Sequence, residues 1–441
     1  MSTKVIIPRV EYSLAFMGTD QPPPDTLSRA AAGYAQQALS NTSLASSSML
    51  TNFGLATQDT FEEMDPSDHA DRFDLSRTPR VLETVGAILI DDLSEADEIA
   101  LRETADVYEN VDLELVAPVQ DDEGTTTGSP ELWHLDQAWG DDPNGERGKI
   151  TGKDVTIGIL DTGIDGSHPE FAGKNVFFQE YDARGLPVKS ARPGQSRDAG
   201  AHGTHVSAIA AGRTVGVAPD ADLAVAAVLT QRTERGYSGK LAQILAGYNW
   251  LGHSVHDPSG SGRICHIINA SLGQSGFHPY LYSSVDVLRS LPRALLIAAI
   301  GNSGRRGSDL HGSPGNYDNV LGVGATDAAD RVANFSDWGL ESTRHAFKPD
   351  MSAPGVNIHS ALPGGRYGTL SGTSMAAPMV SGAAALMLEK YGMSFATNPN
   401  GLHRALTQAV STATNFDPVN RDSSRPNYSR IGAGRLDLTL I

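Results

Sequence analysis

From residue 131 onward the chain alternates between two hydrophobic rhythms. Short, mainly apolar runs at Val155–Leu160, Leu223–Leu229, Ile264–Ala270, Leu295–Ile300 and Val320–Ala325 read as strands. Between them, small and apolar residues recur at helical spacing over His202–Ala211, Gly239–Leu251, Leu281–Leu291, Thr373–Lys390 and Gly401–Val410. Apolar runs without a polar face predict strands buried on both sides. Their alternation with helices predicts an α/β domain over 131–441, built as a parallel sheet with helices on both faces. In such a sheet the carboxyl ends of the strands share one rim, and ligands bind there.

The first 130 residues follow another pattern. Val81–Ile90 reads as a strand, Ser94–Thr104 as a helix opened by a capping serine, and Val111–Val116 alternates strictly between apolar and polar positions. Residues 80–118 are therefore expected to form a small α+β segment. Residues 119–130 read as a linker, because Asp121–Ser129 offers acids, threonines and glycines but no apolar anchor. Residues 1–79 carry the proline run Pro22–Pro24, the alanine- and serine-rich tract Ala30–Ser48 with room for a helix over Thr26–Leu39, and the acidic stretch Glu62–Asp74. They are read as a partly ordered extension and a candidate site for a protein partner.

Composition narrows the function classes. A chain of 441 residues suffices for one large α/β domain and an appendage. The formal net charge of -18 repels nucleic acid and anionic membrane surfaces, so neither is expected as a partner. Cys265 is the single cysteine, which excludes an internal disulfide, and its place within Ile264–Ile268 points to a buried, unreactive thiol. The amino terminus lacks the apolar region of a secretion signal, and no stretch approaches the ~20 apolar residues of a membrane span, so a cytoplasmic protein is expected.

Three polar residues stand where the pattern places the rim or a helix start. Asp161 ends the apolar run of the first strand, His202 opens a helix of small residues, and Ser374 opens the helix that continues through Ala376–Leu388. Taken singly, each has a plain structural use: a surface acid, a core histidine, a helix cap. Taken together they supply the acid, base and nucleophile of a hydrolytic triad. The first N–H groups of a helix lack internal partners and carry the positive end of its dipole, so those beside Ser374 could receive an oxyanion.

The order Asp161, His202, Ser374, set in Ile159-Leu160-Asp161-Thr162-Gly163, His202-Gly203-Thr204-His205-Val206 and Gly372-Thr373-Ser374-Met375-Ala376-Ala377-Pro378, resembles that of the subtilisin-like serine proteases. The resemblance extends to Ile300-Gly301-Asn302-Ser303-Gly304 and Asn269-Ala270-Ser271-Leu272-Gly273, and covers roughly residues 131–441. It implies a subtilisin-like fold and a serine endopeptidase, with Ser374 as nucleophile, His202 as base, Asp161 as its orienting acid and Asn302 as the side-chain half of the oxyanion hole. Peptide or protein substrates would bind extended between Gly236-Tyr237-Ser238-Gly239 and Ser271-Leu272-Gly273. The pocket before the scissile bond would be lined by Ala298, Ala299, Gly301 and Gly312, with room for large apolar side chains. Residues 80–118 resemble the inhibitory prodomain of this family, which implies self-cleavage between Ala117 and Glu131.

One family feature is not expected. Many such proteins hold calcium in a loop after the histidine helix, but Ala211–Pro219 runs through without a carboxylate or amide ligand. No metal and no cofactor are therefore expected, and Glu170 is read as a surface acid. A different reading, a binding module whose protease fold is held silent by residues 1–130, is still open at this point.

Overall fold

A computed structural model describes residues 2–9, 38–39, 42, 56–57, 79–119, 132–140, 147–188, 196–253, 265–290, 294–341, 346–392, 398–411 and 430–441. The expected helix over Thr26–Leu39, apart from 38–39, lies outside these residues, as do the acidic stretch Glu62–Asp74 and the linker Asp121–Ser129.

The central sheet runs, in spatial order, through Met351–Pro354, Leu321–Thr326, Leu295–Ala299, Ile267–Ala270, Thr156–Asp161, Asp222–Ala227 and Val176–Tyr181, and every one of these pairings is parallel. Short strands extend both edges, among them Pro187–Val188 and Arg435–Leu436. Successive strand residues point to opposite faces, and the cores divide accordingly. Ile157, Ile159, Ile267 and Ile297 join one apolar cluster with the helices His202–Ala211 and Thr373–Tyr391. Leu160, Ile268, Leu296 and Ala298 join the other with Leu241–Gly252 and Pro279–Ser290. This is the doubly covered parallel sheet that the continuous apolar runs require. No described helix is long and apolar enough to cross a membrane.

Several boundaries move. Gly239 belongs to the strand Gly236–Lys240 rather than to the helix that follows, and its backbone packs so closely on the Val228 carbonyl that a methyl group would not fit. Val81–Ile90 is two strands, Arg80–Leu82 and Ala87–Asp91, because Gly86 takes a left-handed φ of 62° after the single turn Glu83–Val85. Val176–Tyr181 and Met351–Pro354 escaped sequence reading because the first is only half-buried over much of its length and the second is short and ends in proline.

The amino-terminal module gains a strand from the chain start. Thr3–Pro8 lies between Ala87–Asp91 and Ala105–Glu109, antiparallel to both, so the boundary drawn at residue 80 leaves out a central strand of this sheet. Ser94 caps the helix Glu95–Leu101 by accepting from the Asp97 N–H. The module's inner face, including Val5, Leu82, Leu89 and Leu113, belongs to the same apolar cluster as Leu241, Leu245 and Leu288 of the large domain. Thr84 N–H donates to Asn249 Oδ1 (2.9 Å) and Ala242 N–H to Asn110 Oδ1 (2.8 Å), which pairs the polar atoms along that contact.

His134 and His205 are fully buried, and burial pushes them down to about 4 and about 3 respectively. Both stay neutral in the fold but take up a proton on unfolding below their ordinary value near 6.5, so stability should fall as pH drops from about 6.5 towards these values. Each should steepen that loss by up to about 1.4 kcal/mol per pH unit. Denaturant unfolding between pH 6.5 and 4.5 should accordingly show a shallower slope in His134→Gln and His205→Gln; unchanged slopes would mean that both residues titrate alike in the two states.

Candidate active site

Asp161 closes the central strand and is fully buried, with its carbonyl accepting from Val228 N–H (2.9 Å) and Leu229 N–H (3.1 Å) of the neighbouring strand's exit. Its carboxylate accepts from Thr162 N–H (2.7 Å) and faces His202 Nδ1 at 2.8 and 3.0 Å. That contact fixes the imidazole so that Nε2 is the free end. His202 is the first residue of its helix, and the helix can approach the Asp161 loop because residue 203 is glycine: a Cβ there would lie 2.0 Å from the Gly163 carbonyl oxygen.

Asp198 holds the two pieces together. One carboxylate oxygen accepts from Thr162 Oγ1, Gly200 N–H and Ala201 N–H at 2.6–3.0 Å, and the other accepts from Thr204 N–H and Oγ1 at 2.7 and 2.6 Å. Sequence reasoning missed this residue, yet an aspartate just ahead of a helix of small residues is the usual signal of an amino-terminal cap.

Ser374 is the second residue of the helix Thr373–Tyr391, which is buried from Thr373 through Leu388. Pro378 lacks the N–H that would otherwise bond the Ser374 carbonyl. Ser271 Oγ donates to that carbonyl instead (3.2 Å), receives the Asn269 Nδ2 amide (3.1 Å), and Asn269 Oδ1 accepts from Ser381 Oγ (3.1 Å) further along the same helix. The Asn269-Ala270-Ser271 stretch thus supports Ser374 from behind as well as flanking the cleft.

Asn302 is oriented by Thr373. Its Oδ1 accepts both Thr373 N–H and Thr373 Oγ1 at 2.9 Å, so Nδ2 is the end turned to the cleft. There it donates to the Ala117 carbonyl (2.9 Å), while Ser374 Oγ donates to the Val116 carbonyl (2.6 Å). The cleft is therefore occupied by the chain's own residues 112–119. Asp112–Leu115 lies antiparallel between Gly236–Lys240 and Leu272–Ser275, with Glu114 opposite both Ser238 and Gly273. Val116 N–H then reaches Ser271 O (3.3 Å) and Val119 N–H reaches Ser371 O (2.8 Å). With the serine hydroxyl turned to the tail, buried His202 Nε2 has no hydrogen-bond partner among the described residues.

The remaining predicted residues fall less uniformly. Gly236, Tyr237, Ser238, Gly239, Ser271, Leu272 and Gly273 lie on the two strands that flank the tail, or directly beside them. Gly312 pairs with Ser275, and Ser313 pairs with Gln274, the residue after Gly273. Ala298 and Ala299 are successive strand residues whose side chains enter opposite core clusters, so only one of them can face a common pocket. Gly301 sits behind Asn302, its N–H on Thr373 Oγ1 (3.2 Å).

Residues 152–429, well over half of the chain, match the Subtilase family. The chain belongs to that family. Among curated relatives, the subtilisin-like protease PopC of Myxococcus xanthus is 39% identical over 255 residues, 54% of this chain and 52% of that protein, and subtilisin E of Bacillus subtilis is 34% identical over 248 residues, 55% of this chain and 57% of that protein. The matches thus span about half the length of these relatives. A crystal structure of a cold-adapted subtilisin-like serine proteinase overlays 68% of this chain and 96% of its own with a TM-score of 0.53 at 28% identity.

In this subtilase Glu170 is not a surface acid. It is 2% exposed, and its carboxylate accepts Thr214 N–H (2.7 Å), Val215 N–H (3.3 Å), the Thr214 hydroxyl and Tyr367 OH (2.7 Å). Desolvation would raise this carboxyl, but the hydrogen bonds outweigh it and hold the group below the usual range. The short connection after the histidine helix is thereby closed onto a protein carboxylate. Cys265 is buried and its thiol is pushed up to about 12, so it is inert.

Replacing Ser271 by alanine should leave the Ser374 carbonyl and the Asn269 amide unpaired in a dry interior, at about 1–3 kcal/mol of stability. Urea unfolding of Ser271→Ala beside wild type measures it, and a difference below about 0.5 kcal/mol would mean that the helix satisfies itself.

Proposed function

We propose that this subtilase is a serine endopeptidase in which Ser374 Oγ attacks the scissile carbonyl, His202 accepts its proton and returns it to the leaving amine, and Asp161 holds the imidazole and stabilises its cation. The Asn302 amide and the Ser374 backbone N–H receive the developing oxyanion. Substrates are proteins or peptides bound as an extended middle strand. The amino-terminal module controls access as a prodomain, by holding that place itself.

The observation that carries this reading is the seat of residues 112–119. A segment of the chain lies between two edge strands in the antiparallel geometry of a bound peptide, and its two successive carbonyls meet Ser374 Oγ and Asn302 Nδ2. Backbone pairing on both sides demands little of the side chains, which favours breadth of substrate over selectivity. Tethering keeps the occupant at high effective concentration, so a free peptide competes poorly.

The register favours one bond for processing, Val116–Ala117, just ahead of the expected range of Ala117 to Glu131. Val116 is the residue whose N–H reaches Ser271 and whose carbonyl reaches the serine. The next bond, Ala117–Pro118, has a tertiary nitrogen, and its carbonyl has been drawn to Asn302. Attack at Val116 requires its carbonyl to take the place on Asn302 that Ala117 holds.

Intact mass measured on the purified protein should find a species beginning at Ala117 in wild type and only the full-length chain in Ser374→Ala. A fluorophosphonate should label wild type and not the variant, and hydrolysis of peptides should fall by several orders of magnitude, a size known from a subtilisin. Labelling that persists in Ser374→Ala would remove the serine from its role, whereas an unlabelled wild type would favour a silent binding module.

A further inference from the structure

Asn302 can meet an oxyanion only if the short turn that carries it is held still, and one buried residue grips that turn on both sides. Asp337 N–H donates to the Gly301 carbonyl (3.0 Å), and Asp337 Oδ1 accepts the Ser303 N–H (2.7 Å). Gly301 has a φ of 119°, open to glycine, and its Cα lies against the carboxylate: a Cβ would fall 2.1 Å from Asp337 Oδ2. The segment bearing Asp337 is itself anchored. Phe335 O accepts the Gly304 N–H (2.8 Å), and Ser336 Oγ accepts the Ala325 N–H of the central sheet (3.0 Å).

We infer that Asp337 is a positioning residue for the oxyanion hole, fixing the Gly301-Asn302-Ser303 turn so that the Asn302 amide stands over the cleft with no reorganisation when charge develops. This rests on the functional reading above. Asp337 touches neither Asn302's amide nor any reacting atom in the structure; it acts through the backbone on each side of residue 302.

Its chemistry suits the task. The side chain is only 2% exposed, and burial pushes its carboxyl up to about 7, opposed by the Ser303 N–H and by the charge of Arg306. Within that dehydrated setting the Ser303 N–H is the donor that Asp337 Oδ1 receives. A neutral acceptor of the same shape would serve the geometry equally well.

The test is steady-state hydrolysis of a chromogenic peptide by purified wild type, Asp337→Ala, Asp337→Asn, Asn302→Ala and the double variant Asn302→Ala/Asp337→Ala. Removing an oxyanion donor outright lowers kcat by roughly 10²–10³, a magnitude borrowed from a subtilisin. Loosening it through Asp337→Ala is expected to lower kcat about tenfold with KM within twofold. Asp337→Asn, which keeps the acceptor, should stay within about twofold of wild type, and in the Asn302→Ala background Asp337→Ala should change kcat by less than about twofold. A loss of equal size in both backgrounds, a change confined to KM, or full kcat in Asp337→Ala would overturn the inference. If Asp337→Ala does not fold, Asp337→Glu, which displaces the acceptor by one methylene, should show the same kcat loss, and full kcat there would overturn it equally. An Asn302→Ala variant with wild-type kcat would instead refute the oxyanion role itself.

Discussion

A helix that starts inside a protein brings unpaired N–H groups and, here, a carbonyl deprived of its partner by Pro378 into a place without water. Everything around Ser374 answers that constraint. Thr373 N–H is taken by Asn302 Oδ1, the Ser374 carbonyl by Ser271, and the serine hydroxyl by the Val116 carbonyl. Satisfying the first sets the geometry of the cleft, because Asn302 then turns its remaining donor outward. Asn302 has only its Nδ2 left to offer, and the tail carbonyl of Ala117 takes it.

The same logic reaches across the cleft. Asp161 is buried without exposure, and a buried carboxylate persists only when donors surround it. Thr162 N–H and His202 Nδ1 supply them, so the desolvated acid and the imidazole stabilise each other's placement. Asp198 does for the loop what Asp161 does for the ring, gathering five donors from both sides of the histidine.

The amino-terminal module meets the large domain through a shared buried core. Its Val5, Leu82, Leu89 and Leu113 share an apolar cluster with helix residues of the large domain, so removing the module would expose core surface at about 25 cal/mol per Å². In the proposed control of the site, a cut beside the serine would free the tail's end while this packing kept the module seated. The matched family range begins at residue 152 and so leaves the module out.

Much of this was legible along the chain. The continuous apolar runs determined a parallel sheet, the acid at the end of one run and the small-residue helix starts marked Asp161, His202 and Ser374, and strict alternation marked Val111–Val116 as extended. Periodicity reports which faces are buried, and the order of motifs reports which residues can meet at a rim. What tertiary structure alone decided are the pairings between residues far apart in sequence. Thr3–Pro8 as a central strand, Asp337 behind Asn302, Asp198 between Thr162 and Thr204, and Glu170 as a buried partner of Thr214 were invisible because a polar residue in a loop looks the same whether water or a distant N–H satisfies it. Only the packed fold removes the water, and with it the ambiguity.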